Sequence, residues 1–150
     1  AYKGIPLAAA TAVQLADEFR IDTPWCFNRK EAKDHGEGGW LVGAPLQGRV
    51  LVIDDVITAG TAIREVATMF EKTDASMAGV MVALDRQECG KEPSEAGKGL
   101  SAIQEVEQAL GVPVGSIVTM SDIVAWLEQQ PDSEAVVEPM REYRERYGVQ

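Results

Sequence analysis

With 150 residues, 14 basic and 24 acidic side chains and a formal net charge of -10, the chain is sized for one domain and lacks the basic footprint that broad nucleic-acid binding requires. Its 45% hydrophobic and 25% charged content is that of a globular core, neither disordered nor fibrous. Two cysteines and one histidine offer no metal-ligand spacing and no disulfide framework, and no apolar run approaches the ~20 residues of a membrane helix; without a signal-peptide pattern, a reducing cytoplasm is the expected compartment.

Ala1–Pro6, AYKGIP, reads as a turn opening into a helix, along which Ile5, Ala9, Ala12, Val13, Ala16 and Phe19 form one apolar stripe. Tyr2 and Lys3 could present an aromatic face and a cation to a ligand, or simply pack and solvate. Pro24–Asn28, PWCFN, is short, apolar and aromatic and predicts a strand. Arg29, Lys30 and Lys33 follow, then the lone His35 and three glycines between Gly36 and Gly39. Such glycine density disfavours regular structure. An acidic chain that gathers its cations beside flexible residues suggests a lid over an anion, with a solvated surface loop as the alternative.

Val50–Ile53 is a continuous aliphatic run, read as a strand buried on both faces. Ile63, Val66, Ala67 and Phe70 recur at helical spacing, predicting a helix from 61 to 72. Ala78–Leu84 predicts a second buried strand, ending at Asp85, Arg86 and Gln87. Residues 88–99 form a Gly/Pro-punctuated loop. Leu100, Ile103, Val106 and Leu110 give an amphipathic helix closed by Gly111. Val114–Thr119 predicts a strand, Ser121 is placed as the cap of a helix stopping before Pro131, and Pro139 is placed at the start of a last helix ending near Gly148. The alternation implies an α/β domain with a mainly parallel sheet flanked by helices.

The chemistry concentrates between the first of these strands and its helix, in Asp54-Asp55-Val56-Ile57-Thr58-Ala59-Gly60-Thr61. Ligands of open α/β sheets bind beyond the carboxyl ends of strands. A helix starting near Gly60 or Thr61 turns unpaired N–H groups and a partial positive charge toward a phosphate. Small Ala59 and Gly60 allow close approach, and Thr58 and Thr61 add hydroxyls. Asp54 and Asp55 would repel that phosphate if they touched it. A sugar phosphate removes the conflict, with its diol on the carboxylates and its phosphate in the turn. Arg86, at the next strand's end, suits a planar carboxylate; an ion pair with Asp85 or Glu88 is the alternative.

An apolar strand, two acids and T-A-G-T together resemble the phosphoribosyl-pyrophosphate (PRPP) signature of the type I phosphoribosyltransferases. Ala1–Pro6, NRKEAKDHGEGG from Asn28 to Gly39, LVIDDVITAGTAIRE, Leu84–Glu88 and Ser101–Glu107 narrow the resemblance to the orotate phosphoribosyltransferase family of bacterial type, across essentially the whole chain. It implies a pentosyltransferase of pyrimidine biosynthesis that moves the phosphoribosyl group of PRPP to orotate, with Mg2+ as cofactor and a homodimer as the working unit. It further implies that Asp54 and Asp55 hold the ribose hydroxyls, that Val56, Ile57, Thr58, Ala59, Gly60, Thr61 and Ala62 wrap the 5′-phosphate, and that Tyr2, Lys3 and Lys30 meet PRPP from the same subunit. Arg29, Lys33 and His35 would reach the neighbour's PRPP, with Lys33 and His35 on the lid, and Thr58 and Arg86 would contact orotate. Lys33, His35, Asp54 and Asp55 are the catalytic candidates, and the metal is expected mainly on PRPP and water.

The family has an N-terminal strand and hood region ahead of the AYKG turn. Residues 1–150 therefore read as the core domain, the C-terminal two-thirds of the usual chain, with an expected unpaired strand edge where that strand would lie. Two other readings stay open at this stage: a purine phosphoribosyltransferase, and a non-catalytic PRPP-binding regulator.

Overall fold

The computed structural model describes residues 2–29, 40–57, 60–89 and 99–149. In chain order the elements are α1 (Gly4–Phe19), β1 (Cys26–Asn28), β2 (Leu41–Gly43), β3 (Arg49–Val56), α2 (Thr61–Phe70), β4 (Ser76–Asp85), α3 (Ala102–Leu110), β5 (Val114–Thr119), α4 (Met120–Leu127) and α5 (Glu134–Tyr147). Strands β3, β4 and β5 form a parallel sheet in that spatial order, and β1 pairs antiparallel with β2 in a separate hairpin. The parallel α/β architecture expected from the alternation of apolar runs is the one observed.

Central β4 is apolar because it has a neighbour on each side and helices against it. Its Val80 and Val82 join Ile57, Ile63 of α2, and Ala102 and Val106 of α3 in the main core. Full burial of an aliphatic side chain is worth about 1.5–3 kcal/mol, so this cluster fixes α2 and α3 against the sheet. The parallel register sets Val56 beside Leu84, and Asp85 beside Thr119. The carboxyl ends of all three strands therefore share one edge, the edge where ligands bind in such sheets.

Several expectations are corrected. β3 runs on to Val56, so Asp54 and Asp55 belong to the strand end and not to the turn. β3 is also not buried on both faces: Leu51 is 51% exposed. Among the described residues no strand pairs with its outer edge. There an apolar cavity of about 370 Å3 separates β3 from β1, with Ile5, Leu41, Leu51, Val66 and Phe70 in its walls. On α1, Val13 and Phe19 stay exposed: the face the helix turns to the cavity carries Ile5, Ala8, Ala12 and Leu15. The short strand β2 was missed, Leu41–Gly43 being too brief to show an alternation.

Two helix starts also differ. The cap of α4 is Thr119, not Ser121: Thr119 accepts from the Asp122 N–H while the Asp122 carboxylate accepts from the Thr119 N–H. Pro139 lies inside α5 instead of beginning it. A proline there removes one backbone donor. The turn ahead of it forms nonetheless, because it buries Val137 and bonds the N–H groups of Val136 and Val137 to the Ser133 carbonyl. Gly111 does close α3 in a left-handed conformation, φ 64°, as read from the sequence.

Candidate active site

The end of β3 is built against the start of α1. A Cβ at Gly4 would lie 2.9 Å from the Ile53 carbonyl oxygen and 3.0 Å from Asp54 Oδ1. Glycine is therefore what lets the first turn of α1 sit on the strand end, its N-terminal dipole beside a carboxylate. Asp54 Oδ1 accepts from the Asp55 N–H at 2.9 Å. Burial nevertheless pushes the Asp54 carboxyl above its ordinary value, an effect that this hydrogen bond only partly offsets. Lys3 Nζ stands 3.5 Å from Asp55 Oδ2, and the lysine side chain is 82% exposed. Such a pair is weak in water, so Lys3 is free to turn to an incoming anion. Tyr2 is exposed beside it.

After β3 the chain passes buried Ile57 and enters α2 at Thr61, with Gly60 as the N-cap residue at φ 67°. Two constraints coincide at Gly60. Its φ lies in the left-handed region that disfavours side chains, and a Cβ there would fall 2.7 Å from Val106 Cγ2. Among the described residues no side chain caps α2, and its first residues line a cleft of about 320 Å3 together with Asp54, Val56, Ile57 and Glu65. Asp54 at the strand end and the start of α2 across from it make a receptor for a molecule with hydroxyls and a phosphate, with Glu65 of α2 also in the lining.

The structure thus brings together Lys3, Asp54 and Asp55, and sets Val56, Ile57, Gly60, Thr61 and Ala62 around the cleft beyond them. Arg29 follows β1, and its N–H donates to the Trp40 carbonyl at 2.7 Å. Lys30, Lys33, His35, Thr58 and Ala59, all singled out in the sequence, lie outside the described residues. Arg86 directly follows β4, on the same sheet edge as the aspartates, and pairs with Glu88 at 2.5 Å. The alternative of an ion pair with Glu88 is therefore realised in this structure.

Sequence reasoning missed what surrounds Arg86. Tyr143 of α5, 57 positions away, accepts from Arg86 Nη2 and donates to Glu88. Gln87 is left-handed at φ 54°, and its Oε1 accepts from the Ser121 N–H and hydroxyl. Neither spacing nor composition links these positions.

The phosphoribosyl transferase domain family matches residues 1–116. Orotate phosphoribosyltransferase of Cellvibrio japonicus is 59% identical over 150 residues, covering 100% of this chain and 67% of that protein. Its counterpart from Aeromonas salmonicida is 55% identical over 153 residues, covering 99% of this chain and 68% of the relative. The crystal structure of the Francisella tularensis orotate phosphoribosyltransferase superposes with a TM-score of 0.78 at 35% identity, over 99% of this chain and 65% of that one. The chain belongs to the orotate phosphoribosyltransferases. It spans about two-thirds of the length of the curated relatives it matches. Orotate phosphoribosyltransferases are pentosyltransferases of pyrimidine biosynthesis, with PRPP and orotate as substrates, and among the described residues no helix is long and apolar enough to cross a membrane.

Proposed function

We propose that residues 1–150 form the phosphoribosyltransferase core domain of a cytoplasmic enzyme that transfers the 5-phosphoribosyl group of PRPP to orotate, acting as a homodimer. The observation that carries the residue assignment is the adjacency at the end of β3: Asp54 lines the cleft at the start of α2, and Asp55 with its partner Lys3 stands directly beside Asp54. Asp54 and Asp55 accept from the 2′- and 3′-hydroxyls of the ribose. Residues 56–62 take the 5′-phosphate. Lys3, released from Asp55, meets the pyrophosphate together with Tyr2 and Lys30. Arg86, on the neighbouring strand end, offers its planar fork to the orotate carboxylate, with Thr58 beside the ring.

The reaction breaks the bond from C1′ to the pyrophosphate oxygen and forms one from C1′ to a ring nitrogen of orotate. The bonding electron pair leaves with pyrophosphate, the proton lost by the ring nitrogen passes to pyrophosphate or solvent, and orotidine 5′-monophosphate is the product. Charge builds on the leaving oxygens as positive charge builds on the ribose. The protein's tasks are thus to stabilise the departing pyrophosphate and to hold orotate in line. Lys3 and Lys30 serve the first from within the subunit. Arg29, Lys33 and His35 of the neighbouring subunit serve it from across the dimer. Asp54 and Asp55 hold the ring whose C1′ moves between the two.

The donor set fits magnesium as a substrate-borne ion. Among the described residues no three metal-ligating side chains converge, and the two aspartates are hard oxygen donors, one of them partly engaged by a backbone N–H. Mg2+ keeps several waters and binds through one or two carboxylates plus phosphates, so Asp54 or Asp55 would complete a shell otherwise supplied by pyrophosphate and water. Bound there, the ion would neutralise charge on the leaving group.

The test offers orotate, hypoxanthine, guanine and adenine side by side, with PRPP and Mg2+, to a preparation of the length its relatives have. Pyrophosphate release with orotate alone is the expected result. Release with a purine would reassign the base, and PRPP binding without any product would make the protein a sensor.

A further inference from the structure

Arg86 is held by more than its own strand. Its Nη2 donates to Tyr143 Oη at 3.2 Å and pairs with Glu88 Oε1 at 2.5 Å, while Tyr143 Oη donates to that same Glu88 oxygen at 2.9 Å. The three groups close a ring of contacts on one nitrogen of the guanidinium. A guanidinium carries five N–H donors on three nitrogens, so engaging one nitrogen fixes the plane and leaves donors for a ligand.

The backbone beneath is pinned as well. The Cys89 N–H donates to the Tyr147 carbonyl at 2.8 Å, and the Val149 N–H to the Gln87 carbonyl at 2.9 Å. The Gln87 N–H donates to Asp85 Oδ1. Arg144 Nη2 donates to Ser121 Oγ at 2.9 Å, and the Ser121 hydroxyl in turn donates to Gln87. The last helix and the residues after it thus clasp the four-residue segment that carries Arg86. On α5 itself only Val137 is fully buried, so polar contacts to this segment make up much of what docks the helix.

We propose that Tyr143 and Glu88 are positioning residues that hold the Arg86 guanidinium in the plane of the substrate's carboxylate, so that α5 sets recognition of the acidic base. This rests on the assignment of Arg86 to orotate. Tyr143 is suited to the part: its hydrogen bond to Glu88, with burial and the carboxylate charge, raises its pKa above the usual 10.0, and the phenol stays a donor. Glu88 fixes one side of Arg86, and a freely rotating arginine would have to be ordered afresh each time substrate binds.

The test compares Tyr143→Phe, Glu88→Gln and Arg86→Lys in the intact enzyme, measuring KM for orotate and for PRPP separately together with Tm. Tyr143→Phe should raise KM for orotate about tenfold, the scale of one hydrogen bond to a charged group, with KM for PRPP unchanged and Tm lowered by only about 2–4 °C. Glu88→Gln, which keeps an acceptor for Tyr143 but loses the charge, should raise KM for orotate by a smaller factor. If Arg86→Lys weakens orotate while the other two variants match the parent, the positioning role is overturned and the orotate assignment survives. If Arg86→Lys leaves KM for orotate unchanged, the assignment itself fails and the inference falls with it. A parallel rise in both KM values would mark a general loosening of the fold and equally overturn the proposal.

Discussion

Burial lifts the Asp54 carboxyl above its ordinary 3.8, and the Asp55 N–H opposes the shift without cancelling it. A carboxyl whose pKa is higher folded than unfolded binds its proton more tightly in the folded state. Stability is then least burdened below 3.8, where both states are protonated, and falls as pH rises through the folded value. At neutral pH the fold carries the whole cost of a partly desolvated carboxylate that α1 presses upon. Asp54→Asn removes that cost and keeps an acceptor for the Asp55 N–H. It should raise Tm at pH 7, and the gain should shrink as pH is lowered toward 4. The same change weakens the grip on the ribose diol, and turnover should fall about ten- to a hundredfold, as for loss of a charge-assisted hydrogen bond. Paired calorimetric melts between pH 4 and 8, with turnover at pH 7.5, test both halves. A variant less stable at pH 7 would mean that the carboxylate gains more from its neighbours than it loses by burial.

The start of α2 depends on one residue without a side chain. Gly60→Ala forces a Cβ into the left-handed region, at a cost of about 1–3 kcal/mol, and drives it to 2.7 Å from Val106 Cγ2, a side chain that is itself wholly buried. The expected outcome is a stability loss of that order in urea unfolding, with PRPP affinity lost in calorimetry because the first turn of α2 tilts; unchanged affinity would separate the turn from the phosphate. Gly60 was legible in advance, since a glycine between an aliphatic run and a helical period marks a boundary. The aliphatic runs likewise located β3, β4 and β5, and Asp54, Asp55 and Arg86 stood out as polar groups just beyond those runs. What stayed illegible depends on contacts distant in sequence. β3 extends through two aspartates because pairing with β4 continues to Val56, and nothing local announces that. Thr119 and Ser121 are equally good caps on paper. Asp122 three residues after Thr119 decides the matter, and Ser121 is taken instead by Gln87. Pro139 looked like a helix start because the turn ahead of it owes its order to the burial of Val137.

At the scale of the whole molecule the difficulty is charge. A protein of net charge -10 must stabilise a departing pyrophosphate, and two of the cations assigned to its substrates are already engaged, Lys3 with Asp55 and Arg86 with Glu88. Cations from a second subunit answer this without adding positive charge to the cleft's own strand ends. The proposed homodimer, in which Arg29, Lys33 and His35 act on the neighbour's PRPP, makes an expectation that no single-subunit enzyme shares. A Lys33→Ala chain lacks a working lid but keeps its aspartates; an Asp54→Asn, Asp55→Asn chain lacks the ribose grip but keeps its lid. Each alone should be nearly inactive. In a mixed dimer, the site built on the Lys33→Ala chain borrows the intact lid of its partner, while the other site carries both defects. Random exchange makes about half the dimers mixed, and in each of these one of the two symmetry-related sites is whole. Mixing equal amounts under conditions that exchange subunits should restore activity to about a quarter of the parent value. If the mixture stays as inactive as its components, although mixed dimers are seen by native mass spectrometry, the lid acts on its own subunit and the cross-subunit reading is wrong.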